Sequence, residues 1–61
     1  MSTYLVMTRD ANREEVWFQR EEPNDIAASI NISIECSLRH LKPFWVYRTD
    51  GINRDISGLI P

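Results

Sequence analysis

Cys36 and His40 stand four residues apart in the segment ECSLRH, the spacing at which two side chains on a helix become neighbours. A thiol beside an imidazole is a nucleophile–base pair when the imidazole can draw off the thiol proton. The surroundings argue against that chemistry here. A reactive thiolate is usually placed at a helix N-terminus or in an electropositive pocket. Cys36 falls well inside its segment, and no Asn or Asp is placed to orient His40. The expectation is a surface or partly covered thiol, and a histidine that complements the C-terminal end of a helix dipole.

Other routes to chemistry close in the same way. Glu14-Glu15 and Glu21-Glu22 are adjacent carboxylates flanking turns, and adjacent side chains on a strand face apart. They read as solvated charges. Gly51 and Gly58 are the only glycines, so no glycine-rich loop can cradle a phosphate. One cysteine and one histidine cannot fill a four-ligand metal site, and a single cysteine cannot form a disulfide within its own chain. No enzyme, cofactor or metal is expected.

The residue types that remain are those of binding. LRHLKPFWVYRTDG, residues 38–51, holds the densest aromatic run. Trp, Tyr and Arg dominate binding hot spots. Trp45, Tyr47, Arg48 and the Asp50-Gly51 turn are therefore candidate anchors for a protein partner, with Trp17 beside them. The competing reading makes Trp17 and Trp45 the bulk of a small core.

The elements that must position these residues are short. Thr3–Thr8 and Glu15–Arg20 read as two strands, joined through the polar residues 9–14, where Asp10 and Asn12 tolerate a left-handed backbone. Pro23 breaks the pattern, and Asn24 or Asp25 can cap a helix. Residues 26–41 fit two periods. Ile30, Ile32, Ile34, Cys36 and Leu38 alternate with polar residues as a strand would. Ile26, Ala27, Ile30, Ile34, Leu38 and Leu41 also fall within an arc of roughly 120° on a helix. The cap at the start, and the basic residues and Pro43 at the end, favour the helix. On that helix Ile32 and Cys36 sit on the otherwise polar side. Either another part of the chain, such as the tail, covers them, or they form a small contact patch for a second subunit or a target.

Pro43–Thr49 reads as the third strand, with Phe44 and Val46 on one face and Trp45 and Tyr47 on the other. Residues 50–61 are a loose tail or a fourth short strand, with Ile56, Leu59 and Ile60 able to dock on the body. The expected architecture is α+β: a three- or four-stranded antiparallel sheet in ββαβ order with one helix on one face, in a single domain spanning 1–61. Ile26, Ile30, Ile34, Leu38 and Leu41 should cover one sheet face. The other should display members of the set Tyr4, Val6, Val16, Trp17, Phe18, Trp45 and Tyr47.

Size and charge narrow the function. A 61-residue chain folds near the lower limit for independent stability, so good packing, a homodimer or a partner must help it. Nine acids against seven bases give a net charge of −2, with no basic stripe to neutralise phosphates. Nucleic acid is the less favoured partner. A single-strand binder would have to stack bases on Tyr4, Trp17, Trp45 or Tyr47, with Arg20, Arg48 and Arg54 on the rim. A DNA-mimic face remains open if Glu14, Glu15, Glu21, Glu22 and Asp25 segregate. MSTYLVMTRD has neither a basic n-region nor a long apolar run, so neither a secretory leader nor a membrane span is expected. A lone cysteine fits the reducing cytoplasm.

In size, acidity and strand–strand–helix–strand order over Thr3–Thr49, the chain resembles small phage proteins that block host machinery. These include the phage inhibitor of bacterial RNA polymerase and the anti-CRISPR proteins. The resemblance is one of pattern and carries no site residue over. It implies a cytoplasmic blocker in a bacterial host, binding a large nucleic-acid-processing complex without catalysis. An antitoxin or accessory subunit is the second reading.

Overall fold

Asp10 shapes the first hairpin. Its Oδ1 accepts the backbone N–H groups of Asn12 at 2.8 Å and Glu14 at 3.0 Å, and its carbonyl accepts that of Arg13 at 3.0 Å. Arg13 takes the left-handed conformation, at φ 64°. This is a three-residue hairpin loop ending in a bulge. The left-handed position is Arg13 rather than Asp10 or Asn12, because the Asp10 carboxylate organises the turn from its first residue.

The computed structural model describes residues 1–49 and 54–60. In chain order these form β1 (Ser2–Arg9), β2 (Glu15–Glu22), α1 (Asp25–Leu38), β3 (Lys42–Arg48), the two-residue β4 (Arg54–Asp55) and a 3₁₀ turn at Ser57–Leu59. The sheet is antiparallel, in the order β2-β1-β3-β4. The fold is α+β in ββαβ order, as the sequence predicts. The segment 26–38 is helical rather than a strand. The expected turn at Asp50-Gly51 and the strand start at Ile52 lie outside the described residues. The fourth strand itself is present at Arg54–Asp55.

Both ends of α1 are capped. Asn24 Oδ1 accepts the N–H of Ala27 at 2.8 Å. At the other end His40 is left-handed, at φ 56°. Its N–H donates to the Ser37 carbonyl at 3.3 Å, and the Leu41 N–H donates to the Cys36 carbonyl at 2.8 Å. That pair of bonds is a Schellman cap. His40 does end the helix, but through its backbone, and Leu41 is left free to tuck under the core.

The helix packs with the opposite face from the one its periodicity predicts. Ile32, Cys36 and Ala28 are buried against Tyr4, Val6, Val46 and Ile56. Ile26, Ile30, Ile34 and Leu38 are exposed. The reading of Ile32 and Cys36 as a partner-binding patch is therefore corrected: they are the helix's share of the core.

Side-chain size and polar partners explain the reversal. The sheet face under α1 already carries Tyr4, Phe18, Arg20 and Arg48, so a face of Ala28, Ser29 and Cys36 lets the helix approach closely. In this rotation Asn31 Nδ2 donates to Glu22 Oε1 at 2.6 Å, while Arg20 bonds both Glu22, at 2.9 Å, and Glu35. At the N-terminus the Tyr4 hydroxyl donates to Asp25 Oδ1 at 2.6 Å, and Arg48 Nη1 reaches the same oxygen at 3.3 Å. Turning the large aliphatics inward would carry these partners apart. Glu22, expected as a solvated carboxylate, is buried at the end of a strand that runs two residues further than predicted.

The C-terminal segment docks in part. Ile56 is buried, its N–H donating to the Val46 carbonyl at 2.9 Å, while Leu59 stays half exposed.

Two measurements check this account. An L-residue in the left-handed region costs about 1–2 kcal/mol, of which glycine's greater freedom in the unfolded chain offsets part. His40→Gly should thus raise stability by about 0.5–1 kcal/mol, seen as a higher urea midpoint. An unchanged or lower midpoint would mean the imidazole contributes more than the strain costs.

The second concerns acid. Hydrogen bonds from Asn31 and then Arg20 hold the Glu22 carboxyl below its ordinary 4.5. A depressed folded-state pKa gives stability that is full above that ordinary value and lost as pH falls through the lower folded one. Glu22→Gln should lower the melting temperature near neutral pH and flatten its fall in acid. A residual slope is expected, since Ser57 also holds Asp55 low. An acid limb as steep as the wild type's would remove Glu22 from the account.

Candidate interaction surface

Strand alternation sends every second side chain away from the helix. Register then decides which residues meet there. Met7 pairs with Trp17 on one side and Trp45 on the other, and Leu5 pairs with Gln19 and Tyr47. Trp17, Trp45 and Tyr47 thus share the open face of the sheet, with Leu5 and Met7 between them. Tyr4, Val6, Val16 and Phe18, the other members of the expected set, lie on the helix side.

The three rings form a continuous group. Trp17 and Trp45 have centroids 5.9 Å apart at 74°, and Trp45 and Tyr47 are 4.8 Å apart at 71°, both edge-to-face. Trp17 donates from Nε1 to Glu15 Oε1 at 3.0 Å, which fixes its ring. Trp17 is 49% exposed, and Trp45 and Tyr47 are partly covered by their neighbours. At one end Arg9 and Glu15 approach to 3.7 Å, and at the other Thr3 donates to Glu21 at 2.8 Å. An apolar aromatic centre with a polar rim is the anatomy of a protein-binding patch.

A bulge extends this surface. The β1–β3 register shifts between Met7 and Thr8, so that Trp45 pairs with Met7 and Pro43 with Thr8. Phe44 is the extra residue. It is exposed and does not join Val46 in the core, as simple alternation predicts. Arg9 and Lys42 lie 5.9 and 5.6 Å from its ring centre, within cation–π range.

The predicted site residues divide accordingly. Trp17, Trp45 and Tyr47 come together. Arg48 does not join them: it faces the helix and pairs with Asp25. Asp50 lies outside the described residues. Ile32 and Cys36 are core. The missed members are Leu5, Met7 and Phe44. Once β1 is placed in the centre of the sheet, its alternation could have identified Leu5 and Met7. The bulge that frees Phe44 has no local signal beyond Pro43.

The reactive groups stay apart. Burial pushes the Cys36 thiol pKa up, away from thiolate. His40 is exposed beyond the helix end. Glu22 and Glu35 are engaged by Arg20, and Asp25 by Arg48. Among the described residues, no three His, Cys, Asp or Glu side chains gather to hold a metal ion, and no helix is long and apolar enough to cross a membrane. The most enclosed groove, beside Phe44 and Ile60, holds about 170 Å³, less than a drug-sized pocket, and the wider hollows beside Ile26 and Arg48 (about 490 Å³) and beside Ile30 and Ile34 (about 360 Å³) are more open.

The assignment of core and surface has a direct check. Ile32→Ala should cost about 2–5 kcal/mol or unfold the chain, because Ile32 is the one large aliphatic that α1 buries. Trp17→Ala should cost about 1 kcal/mol or less. Equal costs in urea denaturation would mean Trp17 is a core residue.

No family model matches the chain, and neither a curated protein nor a solved structure matches it.

Proposed function

We propose that the chain is a non-catalytic protein-binding module, and that it inhibits or regulates a nucleic-acid-processing complex by stoichiometric occupancy. The observation that carries the binding reading is the aromatic group Trp17–Trp45–Tyr47 on a sheet face with no second layer among the described residues. Amphipathic aromatics with few rotatable bonds lose little entropy when a partner covers them. Size, acidity and element order supply the more specific part of the proposal, the nature of the target.

Single-stranded nucleic acid is the weaker reading for this face. Base stacking wants open ring planes and a positive groove along the backbone. Here the rings are set edge to face, and Glu15 and Glu21 stand on the rim.

The test is capture from a bacterial lysate with tagged wild-type chain and with the Trp17→Ala/Trp45→Ala double variant, the retained proteins being identified by mass spectrometry. The wild type should retain subunits of a polymerase or nuclease complex. The variant should lose them while keeping its far-ultraviolet circular dichroism. Each hot-spot tryptophan is expected to contribute about 2 kcal/mol or more, roughly 30-fold in affinity. Equal capture by both chains would overturn the assignment of the face. Tryptophan quenching by an oligonucleotide, reversed by salt, would replace it with the nucleic-acid reading.

A further inference from the structure

The outward face of α1 carries Ile26, Ile30, Ile34 and Leu38 at intervals of four residues, exposed by 69, 55, 53 and 77%. At the helical rise this stripe is about 18 Å long. Leu59, 48% exposed, borders a shallow groove with Ile30 and Ile34. The helix has two charged side chains, Asp25 and Glu35. Both are held in ion pairs, with Arg48 and with Arg20 and Arg39 respectively. The outer face is left without any charge. A solvated helix face is ordinarily charged or polar, whereas the centre of an interface is depleted of charge.

We infer that this stripe docks a second copy of the chain, helix against helix and antiparallel, about a two-fold axis near residue 32. Ile30 of each copy then meets Ile34 of the other, and Ile26 meets Leu38.

Three observations select a second copy. The first is area. The four stripe residues and Leu59 present on the order of 500 Å² per copy, so pairing that covers them wholly removes about 1,000 Å² from water, where specific interfaces begin. The second is charge. An uncharged stripe meets its own copy without like-charge repulsion, although each chain carries −2 overall. The third concerns the ends. Antiparallel packing sets the positive N-terminal end of each α1 beside the negative C-terminal end of the other, while parallel packing would set like ends beside like.

This pairing leaves both aromatic faces open on the far sides of the two sheets. The dimer is thus bivalent, and two target sites bound at once would reinforce each other. The dimer itself does not depend on that role.

Sedimentation equilibrium over a dilution series tests the pairing. The wild type should move from 7.2 kDa towards twice that mass as concentration rises. Ile30→Glu/Ile34→Glu, which alters only exposed positions, should stay at the monomer mass with its helical circular dichroism retained. Trp17→Ala/Trp45→Ala should still dimerise, which separates this result from failure of the aromatic-face reading. A second measurement does not depend on the glutamate variants folding. Mild oxidation of a mixture of Ile30→Cys and Ile34→Cys chains should cross-link unlike chains faster than like ones.

A wild-type mass of 7.2 kDa up to the solubility limit would overturn the proposal. So would a dimer that survives the glutamate pair and is lost with the tryptophans, or cross-linking of like chains in preference.

Discussion

The rotation of α1 about its own axis governs everything outside the sheet. Polar bonds fix it at two places. Asp25 is tied to Tyr4 and Arg48 at the helix start, and Asn31 and Glu35 are tied to Glu22 and Arg20 along its flank. A hydrogen bond to a charged group contributes about 1.5–3 kcal/mol, and a buried charge without its partner loses more. Against a core in which the helix buries one large aliphatic, these bonds outweigh the gain from turning a larger apolar arc inward. The helix rests on its narrow, small-residue face, and its large aliphatics point away from the sheet.

That balance explains what was legible in the sequence. Caps, strand periods and the break at Pro23 are local signals, and they gave the ββαβ order and a helix opening after a cap at Asn24 or Asp25. The face of the helix is not a local property. Hydrophobic periodicity scores both arcs as apolar and prefers the larger, Ile26–Ile30–Ile34–Leu38. The deciding facts are the size of the sheet side chains beneath and the positions of Arg20, Glu22 and Arg48, which appear only once register is known. Glu22 shows the same limit: as one of two adjacent glutamates it looks solvated, yet its strand pairing carries it under α1.

The aromatic site was half legible for a related reason. Trp45 and Tyr47 alternate with Val46, so that pair could be placed together, and Trp17 joins them through Met7 in the central strand. Arg48 follows the same alternation to the opposite face, where it serves the helix. Its nearness in sequence to the tryptophan carried no information about its role.

The helix also keeps two sets of instructions on separate residues. Positions 28, 32 and 36 answer to the sheet, and positions 26, 30, 34 and 38 answer to whatever lies outside. Substitution in the second set leaves the first undisturbed. A lineage could therefore drift from one outer chemistry to another, apolar to acidic or basic, with no interval in which the chain fails to fold.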